Sequence, residues 1–143
     1  MPSDTQLKVQ NAIHRALLKI SGGRLGRTIV GMPALELTTI GRKSGAPRSV
    51  MLTAPIIDDE TIVIVASRGG DPTHPAWFLN LRDNPAVEVS VQSGPKRPMT
   101  ARIATEAERA ALWPRVVEVF KGYGDYQRKT TREIPLVLLT PNP

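Results

Sequence analysis

The chain has 143 residues, a formal net charge of +6 and no cysteine. This length fits one domain with its own core, and the lack of cysteine excludes disulfides, thiolate metal sites and a cysteine nucleophile. Residues 1–50 carry eight cationic and two acidic side chains, whereas residues 51–143 carry 11 of each. A localised basic segment indicates an anionic partner, such as a phosphate ligand, nucleic acid or an acidic membrane surface.

The first predicted element is an amphipathic helix over residues 5–20. Leu7, Ile13, Leu17 and Ile20 fall near one face, and the interspersed polar residues exclude the apolar run of a signal peptide or membrane span. We expect one domain over residues 1–143, with residues 1–33 as a helix-and-loop extension, in the cytoplasm. The helix either docks on the sheet or lies on the anionic inner face of the membrane, and the sequence leaves both open.

The next segments alternate between short strands and turns. Strands are predicted over residues 35–40, 48–57, 61–67, 86–91, 98–104 and 134–139. Helices are predicted over residues 76–82 and 105–120, the second opened by a Thr105–Glu108 capping box and kinked or broken at Pro114. Most strand connections are tight hairpins, so we expect an α+β fold built on about six antiparallel strands, as an open sheet or a barrel.

A basic turn between the first two strands is the strongest candidate for ligand binding. It reads Gly-Arg-Lys-Ser-Gly-Ala-Pro-Arg over residues 41–48. Arg42, Lys43 and Arg48 can donate charge-assisted hydrogen bonds to a phosphate, and Ser44 with the turn amides can add donors. The glycine spacing and the absence of a following helix exclude a Walker A loop. A solvated hairpin tip is the simpler alternative.

Three further segments could line a site. A glycine-rich loop, Ser67-Arg-Gly-Gly, follows the most apolar strand, and Trp77 and Asn80 share a short helix. Phe120, Tyr123 and Tyr126 have a spacing that places them on one side of a helical turn. His14 and His74 lack a surrounding carboxylate cluster, and no serine has a nucleophile-elbow context, so metal and serine-hydrolase chemistry are not expected. The remaining hypothesis is a planar, phosphate-bearing cofactor that itself supplies the reactivity.

The ordered set of motifs resembles the deazaflavin (coenzyme F420)-dependent nitroreductase/quinone reductase family. The motifs are residues 37–48, Ser67-Arg-Gly-Gly, Pro-Ala-Trp-Phe-Leu-Asn-Leu over 75–81 with Asn84-Pro85, Trp113-Pro114 and Tyr-Gly-Asp-Tyr over 123–126. The resemblance covers residues 35–141, most of the chain. It implies a split β-barrel like that of FMN-binding oxidoreductases, reduced F420 as the cofactor, and hydride transfer from deazaflavin C5. The implied acceptors are quinones, nitroaromatics and enones or unsaturated lactones such as coumarins and aflatoxins.

Matching positions imply roles for individual residues. The phosphate and acidic tail of the cofactor would be held by Arg42, Lys43, Ser44, Gly45 and Arg48. The deazaflavin ring would lie against Met51, Thr53, Ser67, Arg68, Gly69, Trp77 and Asn80. Phe120, Tyr123 and Tyr126 would form the substrate wall, and Tyr126, Tyr123, Ser67 or water would donate the proton. No metal is implied.

The chain departs from some relatives at two positions of this implied site. Those relatives carry tyrosine where this chain has Thr53 and Phe120, so nitroimidazole prodrug reduction is not expected. The alternatives are an FMN- or haem-binding protein on the same barrel, a membrane-surface module, and a nucleic-acid-binding module. The last is disfavoured because the aromatic residues do not interleave with the basic ones. The oligomeric state and the physiological acceptor stay open.

Overall fold

An antiparallel sheet is the frame of the computed structural model, which describes residues 28–29 and 31–142. Its strands are β1 (Thr28–Ile29), β2 (Met32–Ile40), β3 (Pro47–Thr53), β4 (Ile56–Asp58), β5 (Thr61–Val65), β6 (Ala86–Val91), β7 (Arg97–Ile103) and β8 (Leu136–Pro141). The helices of this part of the chain are α1 (Ala76–Asp83), α2 (Glu106–Val119) and α3 (Gly122–Lys129), with a single 3-10 turn over Arg68–Gly70. The helix predicted over residues 5–20 lies outside the described residues.

The strand order requires the sheet to curl. Neighbouring strands run β3-β2-β6-β7-β8-β5-β4, every pair is antiparallel, and β1 adds a short hairpin to the start of β2. The strands at the two ends of this order, β3 and β4, are separated only by Ala54 and Pro55. Two intervening residues span at most about 11 Å, so the two ends of the sheet have to approach each other. This confirms the predicted α+β split barrel.

Both faces of the curled sheet are covered by apolar side chains. Along β8, Val137 and Leu139 belong to one core cluster, with α1, whereas Leu136 and Leu138 belong to a second cluster with α2 and α3. Strand β5 is divided in the same way, since Ile64 packs in the first cluster. The interior of the barrel is therefore filled by α1, and its outer face at β5 and β8 is covered by α2 and α3.

Several predicted elements differ from the observed ones. The strand predicted over 48–57 is two strands, because the chain bends at Ala54-Pro55, and β2 begins three residues before the predicted start at residue 35. Helix α2 continues through Pro114 rather than ending there. The last strand begins at Leu136, after Pro135, instead of at residue 134. Residues 122–129, predicted as a polar and aromatic segment without an element, form α3.

Candidate functional site

The basic turn connects β2 to β3 and presents its cations to solvent. Arg42, Lys43 and Arg48 are exposed, and among the described residues no carboxylate lies within ion-pair distance of them. The Ser44 hydroxyl accepts hydrogen bonds from the Ala46 amide at 3.1 Å and from Arg48 Nη2 at 3.4 Å. Three neighbouring cations without an acidic partner among the described residues have the chemistry to bind an anion.

Asn80 fastens this turn to α1. Its Oδ1 accepts from the Arg42 amide at 3.2 Å and from Arg42 Nη1 at 3.0 Å, while its Nδ2 donates to the buried Thr39 hydroxyl at 3.1 Å. Asn80 is 5% exposed, and both the oxygen and the nitrogen of its side-chain amide have partners within the protein. The resemblance implies that Asn80 lines the cofactor ring; in the structure its side chain contacts Arg42 and Thr39.

The loop that follows β5 has an unusual backbone. Arg68, Gly69 and Gly70 have φ angles of 46°, 64° and 84°, so three successive residues adopt the left-handed region. This conformation is strained for arginine and is found mainly where the surrounding structure enforces it. Arg68 Nη1 pairs with Asp71 Oδ1 at 2.9 Å, and the hydrogen bond that this carboxylate receives from the Thr73 amide is the main cause of the lowered pKa of Asp71.

Arg132, on the segment between α3 and β8, holds this loop in place. Its guanidinium donates to the carbonyl oxygens of Asp71 at 2.8 Å, Ser67 at 2.8 Å and Ala66 at 3.2 Å. Burial lowers the pKa of Arg132, although Asp71 opposes this shift. The sequence reasoning did not single out Arg132, and no local motif marks it, because its partners are more than 60 residues away along the chain.

The three predicted wall residues form one aromatic cluster. The ring centroids of Phe120 and Tyr123 are 5.1 Å apart, and those of Tyr126 lie 6.3 Å from each of the other two. The three rings do not share one helix, since Phe120 caps the end of α2 and both tyrosines lie on α3. The sequence spacing nevertheless predicted their association correctly.

The two tyrosine hydroxyls have different surroundings. The Tyr123 hydroxyl lies 3.0 Å from the Thr53 hydroxyl and 3.7 Å from Met32 Sδ, and burial raises the pKa of Tyr123. Tyr126 is half-buried, and its hydroxyl has no hydrogen-bond partner among the described residues. Only the Tyr126 phenol is therefore free to serve a ligand.

Strand β3 links the basic turn to the aromatic cluster. The strand begins at Pro47, where the turn ends, and it ends at Thr53, which contacts Tyr123. Thr53 is five positions beyond Arg48, which is about 17 Å in extended chain. The loop after β5 lies against the same aromatic helix, since a Cβ on Gly70 would be 2.8 Å from the Tyr126 carbonyl oxygen. The arrangement is an elongated site, cationic at one end and aromatic at the other.

Three of the predicted ring contacts have side chains that are buried or paired within the protein. Trp77 is 9% exposed and packs edge-on against Phe78 in the core, with ring centroids 6.4 Å apart. Met51 is 7% exposed, and the Arg68 guanidinium is folded back onto Asp71.

A groove of about 680 Å³ lies on the outer surface of α2 and α3. Its lining includes Trp113, Pro114, Lys121 and Arg128. None of the predicted site residues is among the residues that line this groove. No helix in the described part of the chain is long and apolar enough to cross a bilayer.

The curled antiparallel sheet and its helices define the class as a split-barrel fold, and comparison with known proteins gives the family. Residues 10–141 match the model of the F420H(2)-dependent quinone reductases. An F420H(2)-dependent quinone reductase of Mycobacterium tuberculosis is 42% identical over 133 residues, covering 90% of this chain and 87% of the relative. The chain belongs to this family of oxidoreductases, as the sequence motifs indicated.

Two solved structures agree with this assignment. An F420H2-dependent reductase, FDR-A, is 39% identical, with a TM-score of 0.67 over 75% of this chain and 93% of its own. A second structure, described as a domain-swapped dimer, is 34% identical, with a TM-score of 0.69 over 90% of this chain and 96% of its own. The fold of this chain is therefore that of solved members of its family.

Proposed function

We propose that this protein is an F420H2-dependent quinone reductase whose cofactor lies along β3. The observation that carries the proposal is the difference between the side chains at the two ends of that strand. One end has three exposed cations without a described carboxylate partner, and the other has the Thr53–Tyr123 contact and the aromatic cluster. An elongated ligand with a phosphate at one end and a planar ring at the other has matching chemistry.

The residues present fit the cofactor at both of its ends. Arg42 is oriented by Asn80 and Arg48 by Ser44, so two of the three cations have a side-chain contact that positions them without a ligand. The amides of Lys43 and Ser44 have no acceptor within the described chain and can add to the anion site. At the other end, the loop after β5, with its left-handed backbone, would lie beside the deazaflavin ring.

When bound, the reduced deazaflavin supplies a hydride from its C5 carbon. The protein aligns the acceptor with that ring, because Phe120 and Tyr126 form a wall against which a planar molecule can stack. The Tyr126 hydroxyl is placed to donate a hydrogen bond, and then a proton, to the acceptor oxygen that gains charge. The Tyr123 hydroxyl is engaged by Thr53 and fixes the wall.

Quinones are the proposed principal acceptors, since they are planar and electron-poor and need one proton donor near a carbonyl oxygen. Enones and unsaturated lactones such as coumarins and aflatoxins share these properties, and nitroaromatics are the weakest candidates. Where a tyrosine phenol would be expected at position 53, this chain has a threonine hydroxyl that is already bonded to Tyr123. One polar group that could contact a nitro oxygen is therefore missing.

An acceptor panel tests the activity. Purified protein should oxidise F420H2 in the presence of menadione, and more slowly with a coumarin or nitroaromatic, and should not oxidise NADPH under the same conditions. Tightly bound yellow flavin or a haem absorption band in the purified protein, together with inactivity toward F420H2, would instead support the alternative cofactors.

The two tyrosines provide a sharper prediction. Tyr126→Phe should lower kcat for menadione by about 10- to 100-fold, the range expected for loss of a general acid, with little change in stability. Tyr123→Phe is the matched control. It should lower the free energy of unfolding by about 1 kcal/mol through the lost Thr53 hydrogen bond and reduce kcat less than Tyr126→Phe does. The reverse ranking of kcat would assign the proton to Tyr123.

A further inference from the structure

The loop after β5 is bound on two sides by residues that come late in the chain. On one side, Gly70 lies so close to α3 that an added Cβ would be 2.8 Å from the Tyr126 carbonyl oxygen. On the other, the Arg132 guanidinium bonds three carbonyl oxygens of residues 66–71. The three left-handed residues of the loop are thereby held between two fixed surfaces.

The loop also has bonds of its own, among them the Arg68–Asp71 ion pair at 2.9 Å. The Gly70 amide donates to the Ser67 carbonyl at 2.9 Å, and the Asp71 amide donates to the Arg68 carbonyl at 3.1 Å. A non-glycine residue with a positive φ costs about 1 kcal/mol or more, so Arg68 needs support from outside the loop. Arg132 supplies it with charge-assisted hydrogen bonds, which are stronger than neutral ones.

Arg132 also makes a fourth contact, with His74. Arg132 Nη1 lies 3.2 Å from His74 Nδ1, and because a guanidinium can only donate, that imidazole nitrogen accepts. Through these four contacts, Arg132 binds both the start of the loop and the segment that precedes α1. These contacts use four of the five N–H groups of the guanidinium.

We propose that Arg132 is a positioning residue for the hydride transfer, an inference that rests on the proposed function. It fixes the Ser67–Gly69 backbone beside the ring and against Tyr126, and so sets the separation of ring and acceptor. Displacement of reacting groups by about 1 Å can lower a rate by about 100-fold. Loss of Arg132 should therefore reduce kcat, while the basic turn still binds the cofactor.

The test compares Arg132→Met with Arg109→Met. Arg109 is the matched control because it too bonds a backbone carbonyl and a side chain of this region, Ile134 O at 2.9 Å and Gln127 Oε1 at 3.0 Å, without contacting the loop after β5. The first readout needs no cofactor. Hydrogen–deuterium exchange of peptides covering residues 66–74 should accelerate at least about 10-fold in Arg132→Met and stay unchanged in Arg109→Met.

The second readout separates binding from turnover. Arg132→Met should lower kcat with menadione by about 10- to 100-fold while the Kd for F420H2 changes by less than about 3-fold. Arg132→Lys, which keeps the charge but not the fork of donors, should be intermediate in both readouts and replaces Arg132→Met if that variant does not fold. Arg109→Met should leave kcat unchanged after correction for folded protein.

The possible outcomes are distinct. Unchanged exchange over residues 66–74 in Arg132→Met would overturn the proposal, as would equal kcat losses in the Arg132 and Arg109 variants. If the wild-type protein oxidises no F420H2 with any acceptor, the proposed function fails and the positioning role with it, while faster exchange would still assign Arg132 to holding the loop.

Discussion

Glycine is required at position 70 for two separate physical reasons. Its φ is +84°, and a Cβ there would meet the backbone of Tyr126 at 2.8 Å for the carbonyl oxygen and 3.1 Å for Cα. Backbone atoms cannot move aside as a flexible side chain can. Gly45 has a similar φ of +71° but open space where a Cβ would be added. A side chain at position 45 would therefore cause backbone strain alone, whereas one at position 70 would cause both strain and a steric clash.

This comparison predicts different stabilities for the two alanine variants. Gly45→Ala should lower the free energy of unfolding by about 1 kcal/mol, the cost of a left-handed alanine. Gly70→Ala should lower it by at least about 1 to 3 kcal/mol more, because the collision adds to the strain. Urea unfolding measures both, and equal losses would mean that α3 does not press on the loop.

His74 gives the protein a predicted dependence on pH. Burial lowers its pKa below the usual 6.5, and Arg132 and Arg82 lower it further. As the pH falls through 6.5, the unfolded chain therefore takes up a proton that the folded protein refuses, and stability falls.

The stability loss between about pH 7.5 and 5.5 should be smaller in His74→Asn, whose Oδ1 can still accept from Arg132. His14→Gln is the control for the second histidine and should retain the His74 contribution. Urea midpoints across this range measure the effect, and an unchanged slope in His74→Asn would contradict the assignment.

At the scale of elements, the sequence predicted those features that depend on residues close together in the chain. The capping box that opens α2 was predicted from two residues, and both of its hydrogen bonds are present, at 3.2 Å and 2.9 Å. Helix α3 was not predicted, because Gly122 and Gly124 weaken its intrinsic helix propensity. It is stabilised by packing, since Tyr123 and Gly124 are buried. Such tertiary contacts have no signature in the local sequence.

The same distinction holds for the site. The basic turn and the aromatic cluster are local patterns, and the sequence identified both. Arg132 and the Asn80–Arg42 contact join residues far apart in the chain, so their roles could be found only in the folded protein.

The capping box carries a prediction of its own. Thr105→Ala removes the acceptor of the Glu108 amide and should lower the free energy of unfolding by about 1 kcal/mol. Because α2 is not part of the proposed site, the Kd for F420H2 should not change. A larger stability loss would indicate that the first turn of α2 supports more of the fold than its exposed position implies.

At the scale of the whole molecule, the structure shows where part of the excess positive charge of residues 1–50 lies. Three of the eight cations of residues 1–50 lie on the basic turn, at the far end of β3 from the aromatic cluster. Attraction between these exposed cations and an anionic ligand is weakened by salt. The turn should therefore contribute most to cofactor binding at low ionic strength.

The most direct test of the account is the Kd for F420H2 of the Lys43→Ala, Arg48→Ala double variant. If the basic turn holds the phosphate, the Kd is at least about 10-fold above wild type in low salt, and the difference is smaller in high salt. The Lys96→Ala, Arg97→Ala variant removes the same charge from the exposed β6–β7 hairpin and should bind like wild type. Unchanged binding by the Lys43, Arg48 variant would show that the phosphate of the cofactor lies elsewhere.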